Sequence, residues 1–130
     1  MTPEQAIKRH ILVTVELRDF NELNENNIDE VYDFDLENSE IADLYEAVNE
    51  FRYGDEETSI YCDSSRHYES KPVASKLVDG TWVGWTYWYG GGKHGEPDAM
   101  DWIEDAYYLS VKEEQKVVTI RTFKKVKNNE

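Results

Sequence analysis

Residues 73–89 read VASKLVDGTWVGWTYWY, and this stretch decides the fold. Two runs rich in β-branched and aromatic residues, 73–78 and 81–89, flank the dipeptide Asp79-Gly80. Asp-Gly tolerates the positive φ angles of a type I′ turn, so the stretch predicts an antiparallel hairpin. The second run, as a strand, places alternate side chains on opposite faces. One set is Val83, Trp85, Tyr87 and Tyr89, and the other is Trp82, Thr86 and Trp88.

The best helix precedes this hairpin. Apolar residues recur at the spacing of one helix face at Ile41, Leu44, Tyr45, Val48 and Phe51. Gly54 supplies the stop signal. A Thr-Pro pair at residues 2 and 3 indicates a short N-terminal helix. Other runs predict strands at 11–17, 31–36 and 58–62, and a second hairpin that joins 106–111 to 116–124 around residues 112–115. Together they predict one α+β domain over residues 1–130, a mostly antiparallel sheet with one main amphipathic helix packed on it.

The net charge of −14 belongs to one segment. Residues 19–57 hold fifteen acids and one base, Arg52, whereas the rest of the chain holds thirteen of each. Nucleic-acid and anionic membrane surfaces attract Lys and Arg, so neither is an expected direct partner. One interpretation is a solvated face that keeps the protein soluble. The other is a surface that imitates the phosphate field of DNA and binds a host protein with a basic surface.

The residues expected to carry that contact fall into two groups. The charges are Asp33, Asp35, Glu37, Glu40, Asp43 and Glu46. The large apolar groups, for packing or for contact, are Trp85, Trp88 and Trp102. Because a helix covers only one face of a sheet, the other aromatic face is expected either to be covered by loops or by a second copy in a homodimer, or to form a patch for a partner or ligand.

The segment after the aromatic strand carries a resemblance. The run WYGGGKHGEP at residues 88–97, continued by DWIEDAY at 101–107, resembles a segment of small bacteriophage accessory (early) proteins over roughly residues 85–123. The resemblance implies a viral origin and an expectation for the class, namely inhibition of host enzymes or anti-defence activity, in some cases as DNA mimics. It implies no catalytic residues.

Two alternatives remain open. The first is a protein that binds or sequesters a small nucleotide with the aromatic strand and the glycine-rich loop, using Trp82, Tyr87, Lys93, His94 and Arg121. The second is a hydrolase with an unrecognised site. The glycine run lacks the spacing of a phosphate-binding P-loop, and no Gly-x-Ser-x-Gly nucleophile elbow is present, so the expectation is that the chain is not an enzyme.

Metal and cofactor sites are not expected either. Asp33-x-Asp35-x-Glu37 begins like a calcium loop, but its sixth and twelfth positions are Asn38 and Leu44 rather than Gly and Glu. Cys62 is the only cysteine, so neither a disulfide nor a zinc-finger pattern can form within the chain. With no signal-peptide pattern and no long apolar run, the sequence predicts residence in the cytoplasm of the host cell.

Overall fold

The protein is an α+β domain in a computed structural model that describes residues 1–38 and 43–127, apart from the side chains of Asp43 and His94. In this part of the chain, three α-helices precede four strands. The helices are α1 (Pro3–Thr14), α2 (Ile28–Asn38) and α3 (Asp43–Phe51), and the strands are β1 (Glu56–Glu57), β2 (Glu69–Lys76), β3 (Trp82–Tyr89) and β4 (Tyr107–Leu109). Short 3-10 turns occur at Phe20–Glu22, Gly92–His94 and Pro97–Ala99. The strands form one antiparallel sheet in the order β1-β2-β3-β4.

Helix α1 replaces the strand expected at residues 11–17. Its start is fixed by a capping box, in which the Thr2 hydroxyl accepts from the Gln5 backbone N–H and the Gln5 side chain accepts from Thr2 N–H. The helix then continues for 12 residues because Ile7 and Ile11, one turn apart, are both fully buried. Burial of this stripe overrides the strand preference of the β-branched residues.

Helix α2 likewise replaces the edge strand expected at residues 31–36. Its buried positions are Ile28, Tyr32 and Asp35, which follow the i, i+4, i+7 spacing of one helix face. The alternation of apolar and acidic residues from Val31 to Leu36 suggested a strand only because Asp35, an acid, occupies a buried position of the helix.

Helix α3 confirms the predicted apolar stripe in part, since Leu44 is only 1% exposed and Val48 and Phe51 pack half-buried against the core. Tyr45, another member of the predicted stripe, is 63% exposed, so its place there was wrong. The chain turns away from the helix at Gly54, whose φ is +71°. A side chain could not be accommodated there, since a Cβ atom would lie 2.6 Å from Cβ of Val73.

The hairpin from residue 73 to residue 89 is confirmed, with Val73 paired to Trp85 and Lys76 to Trp82. The type I′ turn was wrong. Gly80 N–H donates to the Leu77 carbonyl and Leu77 N–H to the Thr81 carbonyl, so the loop has three residues. Gly80 has a φ of +87°, but Asp79 is not in the positive-φ region. This geometry matches a type I turn followed by a left-handed glycine.

The outer strands are shorter than predicted. The first edge strand is Glu56–Glu57, so the strand expected at 58–62 was wrong. β4 confirms a strand within residues 106–111, but it pairs with β3, and residues 110–127 contain no strand or helix, so the predicted second hairpin does not form. The expected strand at 116–124 was therefore also wrong.

The core lies between the three helices and one face of the sheet. β3 contributes Val83 and Trp85, each 0% exposed, and they meet Ile7, Ile28 and Leu44 from the helices. The predicted division of the aromatic strand into two faces is confirmed by this burial and by the strand register.

The tip of the hairpin is tied to α1. Arg9 pairs with Asp79 at 2.8 Å, and the Val78 backbone N–H donates to Nδ1 of His10 at 3.0 Å. The His10 ring also lies 5.0 Å from the Phe51 ring. Burial lowers the pKa of His10 below its ordinary value, against the opposing effect of Asp55 and Asp79.

We expect acid to destabilise the fold through His10. In the window between its ordinary pKa of about 6.5 and its lower folded value, the unfolded chain binds a proton that the folded chain does not. The stabilisation is therefore complete above about pH 6.5 and is lost as the pH falls through that window. Urea unfolding of the wild type and of His10→Gln, whose amide oxygen can accept from Val78 without titrating, measures the effect. The wild type should lose more stability between neutral and mildly acidic pH, and equal losses would contradict it.

Candidate functional site

Exposed carboxylates cover the outer sides of α2 and α3. On α2, Glu30, Asp33 and Glu37 are exposed at helical spacing, and on α3 Glu46 and Glu50 are exposed one turn apart. We call these five residues the acidic face. Because they lie on helices, the positions of their Cα atoms are fixed by the packing of Tyr32 and Leu44 in the core.

Other acids of the same segment are held in ion pairs. Asp35 is only 7% exposed and accepts two hydrogen bonds from Arg18, at 3.0 and 2.9 Å. This bidentate pairing raises the pKa of Arg18. Asp29 accepts from Lys8 and from Gln5, and these bonds lower the pKa of Asp29. Among the described residues, no ion pair involves the acidic face.

The pKa of Tyr32 reflects both its burial and the negative charges around it. Burial, together with the smaller effects of nearby Asp33, Glu104 and Tyr45, raises the pKa of Tyr32 to about 12. Those neighbours come from α2, α3 and the loop before β4, so the three elements adjoin there. Glu104 is exposed and extends the negative surface, which the sequence pattern had not indicated.

The six acids that were predicted to contact a partner do not all lie on the acidic face. Asp33, Glu37 and Glu46 are exposed on the acidic face. Asp35 is buried against Arg18, so its place in the partner surface was wrong. Glu40 and the side chain of Asp43 lie outside the described residues.

All three predicted tryptophans are buried. Trp85 is 0%, Trp88 8% and Trp102 6% exposed. The rings of Trp85 and Trp102 lie 5.5 Å apart, and the Trp85 indole N–H donates to the Arg52 carbonyl at 2.8 Å. They therefore take the packing role of the two that were predicted, and their burial contradicts the contact role. The exposed aromatics beside the acids are Phe34 on α2 and Tyr45 on α3, 58% and 63% exposed.

Arg52, which follows α3, makes contacts with β3 that were not predicted from the sequence. It is 5% exposed, and its guanidinium donates to the Trp88 carbonyl at 2.7 Å. The same group lies 5.0 Å from the Tyr87 ring centre. Lys71 approaches that ring from β2 at 5.6 Å. These contacts give the only base of residues 19–57 a structural role, because its donors and its charge are directed into the protein.

The residues of the proposed nucleotide clamp do not converge. Trp82 and Tyr87 point to opposite faces of β3. Lys93 lies in the exposed turn Gly92–His94, and Arg121 lies in the exposed C-terminal segment. The His94 side chain is outside the description. A ligand on one face of the sheet therefore cannot contact both Trp82 and Tyr87.

The face of the sheet opposite the helices carries a cavity of about 280 Å³. Ala74, Trp82 and Leu109 line it from the strands, and residues 58–60 and 110–112 line it from two loops. Nearby, the Tyr107 ring lies so close to Gly84 that a Cβ there would be 2.7 Å away. Two loops and the Tyr107 ring therefore adjoin this second aromatic face.

Comparison with known proteins adds no family. No family model, curated protein or solved structure matches the chain. Within residues 1–38 and 43–127, no three His, Cys, Asp or Glu side chains come together as a metal site. No helix in that part of the chain is long and apolar enough to span a membrane.

Proposed function

We propose that this chain is a small, phage-type interaction protein that inhibits a host nucleic-acid-handling or defence protein inside the host cell. The acidic face would occupy a basic surface of that protein in the manner of a DNA mimic. The observation that carries the proposal is the concentration on the packed helices α2 and α3 of exposed carboxylates that form no ion pair with any described residue.

The spacing of the charges supports mimicry. Glu30, Asp33 and Glu37 are separated by three and four residues, which corresponds to about 5 Å of helix axis per charge. One strand of DNA carries a phosphate about every 3.4 Å along its axis. The face thus presents roughly two thirds of the linear charge density of a DNA strand.

The rigidity of the helices that carry the acidic face also supports mimicry of DNA. An acidic loop would lose conformational freedom when it binds, whereas carboxylates fixed on packed helices lose only side-chain freedom. Phe34 and Tyr45 stand beside the charges and offer exposed aromatic area of the kind that anchors protein interfaces.

Duplex DNA is expected to compete with the protein for its partner, because both would bind the same basic surface. The measurement is displacement of labelled DNA from a captured partner by titration with this protein, at two salt concentrations. Stoichiometric displacement that weakens at high salt is the expected result. A ternary complex of partner, DNA and this protein would contradict mimicry while leaving other modes of binding open.

A further inference from the structure

The last part of the described chain has the composition of a strand but no strand partner. Residues 116–127 read KVVTIRTFKKVK, which we call the C-terminal segment. Its apolar side chains are almost fully solvated: Val117 is 105%, Ile120 88% and Phe123 86% exposed. Exposure of β-branched and aromatic side chains to water is unfavourable, and such residues favour the pleated, half-buried environment of a strand.

The charge of the segment is opposite to that of the remaining domain. Residues 116–127 hold five bases and no acid, whereas residues 1–115 hold nine bases and 27 acids, a net charge of −18. A second copy of this chain therefore presents a complementary surface to the segment. An anionic partner such as nucleic acid would meet the repulsion of the acidic domain that carries it.

The sheet offers a matching edge. β4 pairs with β3 on one side only, through residues Tyr107–Leu109, and no strand of the described chain pairs with its other side. Apolar groups flank that edge on both faces, with Tyr108 on the helix side and Leu109 beside Trp82 on the other. As a strand, the segment would likewise carry apolar residues on both faces, with Val118 and Ile120 on one and Val117 and Phe123 on the other.

The connection between β4 and the segment explains why the pairing does not form within one chain. Residues 112–115 are Lys-Glu-Glu-Gln, without a Gly, Pro, Asn or Asp that would favour a tight turn. The hairpin that does form turns at Gly80, whose φ is +87°. Because residues 112–115 form no turn, the segment does not fold back onto its own β4 and can reach another copy.

We propose that residues 116–124 of one copy pair antiparallel with the free edge of β4 in a second copy, and that the exchange is reciprocal. Each sheet would gain a fifth strand, and the exposed apolar side chains of both segments would be buried. The surface involved is distinct from the acidic face, so this dimer does not depend on the proposed function.

Molar mass by light scattering and sedimentation, over about 1–100 µM, tests the proposal, since a homodimer forms by mass action. The wild type should approach twice the chain mass of 15.3 kDa. The Thr119→Pro/Ile120→Pro variant lacks two neighbouring backbone N–H groups, which would point to opposite edges of the added strand. Pairing therefore fails in either register, and the measured molar mass should fall to that of one chain. The fold should be unchanged, because the segment contributes nothing to the core. Val126→Pro, beyond the paired stretch, should remain dimeric.

A second variant tests the exchange itself. Glu113→Asn/Glu114→Gly installs an Asn-Gly turn, which favours an intrachain hairpin. This variant should be monomeric, with alternate backbone amides of residues 116–124 protected from hydrogen exchange. A monomeric wild type across the whole range, a dimer that survives the double proline change, or a dimer that survives the Asn-Gly turn would each overturn the proposal.

Discussion

Replacing Asp33, Glu37 and Glu46 by Asn, Gln and Gln is expected to weaken partner binding by about 10- to 100-fold at low salt. Each exposed charge contributes on the order of 0.5–1 kcal/mol to a complementary interface, and each 1.4 kcal/mol corresponds to a factor of ten. The three side chains are exposed and make no ion pair among the described residues, so the fold should be preserved. Titration calorimetry against a captured partner measures the loss.

A matched variant separates the acidic face from net charge. Asp63→Asn, Asp98→Asn and Asp101→Asn also remove three exposed negative charges from the total of −14, but from loops outside α2 and α3. This control should bind almost as the wild type does. If both variants lose affinity equally, overall charge and not the acidic face is responsible.

Trp85→Ala is expected to cost the largest share of stability of any single change, about 3–5 kcal/mol of unfolding free energy. The side chain is fully buried, packs 5.0 Å from the Phe51 ring, and donates its indole N–H to the Arg52 carbonyl. Truncation leaves a cavity and an unpaired buried carbonyl. A domain of this size has about 5–15 kcal/mol in total, so this single change removes a large share of the stability.

Trp82 provides the comparison, since it lies in the same strand but faces away from the helices and is half-buried. Trp82→Ala should cost only about 1–2 kcal/mol, in proportion to the smaller apolar area that it buries. Chemical denaturation with both variants measures the difference. Equal losses would contradict the assignment of the core to the helix face of the sheet.

The central hairpin and α3 could be predicted because their signals are local. The turn lies in the sequence at Gly80, and the stripe from Leu44 to Phe51 has only apolar members. The turn type could not be predicted, because Asp-Gly fits both a two-residue type I′ turn and the end of a three-residue loop. Which one forms depends on the pairing of Lys76 with Trp82, a contact of the folded sheet.

The first two helices were not predicted because distant partners decide them. The β-branched residues near Ile11 favour a strand locally, but burial against the sheet selects a helix. In α2 the buried stripe includes Asp35, whose burial is possible only because Arg18, seventeen residues earlier, neutralises it. A single sequence contains no mark that joins these two residues.

The candidate site was predictable in charge but not in detail. Composition placed the negative field in residues 19–57, and helical spacing on α3 placed Glu46 outward. The sequence pattern missed the exposed aromatics beside that surface, because it placed Tyr45 in the apolar stripe of α3 and Phe34 in an edge strand. The burial of Trp85 and Trp102 follows from the packing of Trp102 and of Phe51 on α3 against β3, which is a tertiary property.

The most direct test is affinity capture from bacterial lysate, eluted in salt steps, with the wild type and the Asp33→Asn/Glu37→Gln/Glu46→Gln variant side by side. We predict that the wild type retains a nucleic-acid-handling or defence protein with a basic surface, that moderate salt releases it, and that the variant does not retain it. A retained protein that resists salt and binds both forms equally, or the absence of any retained protein, would contradict binding through the acidic face.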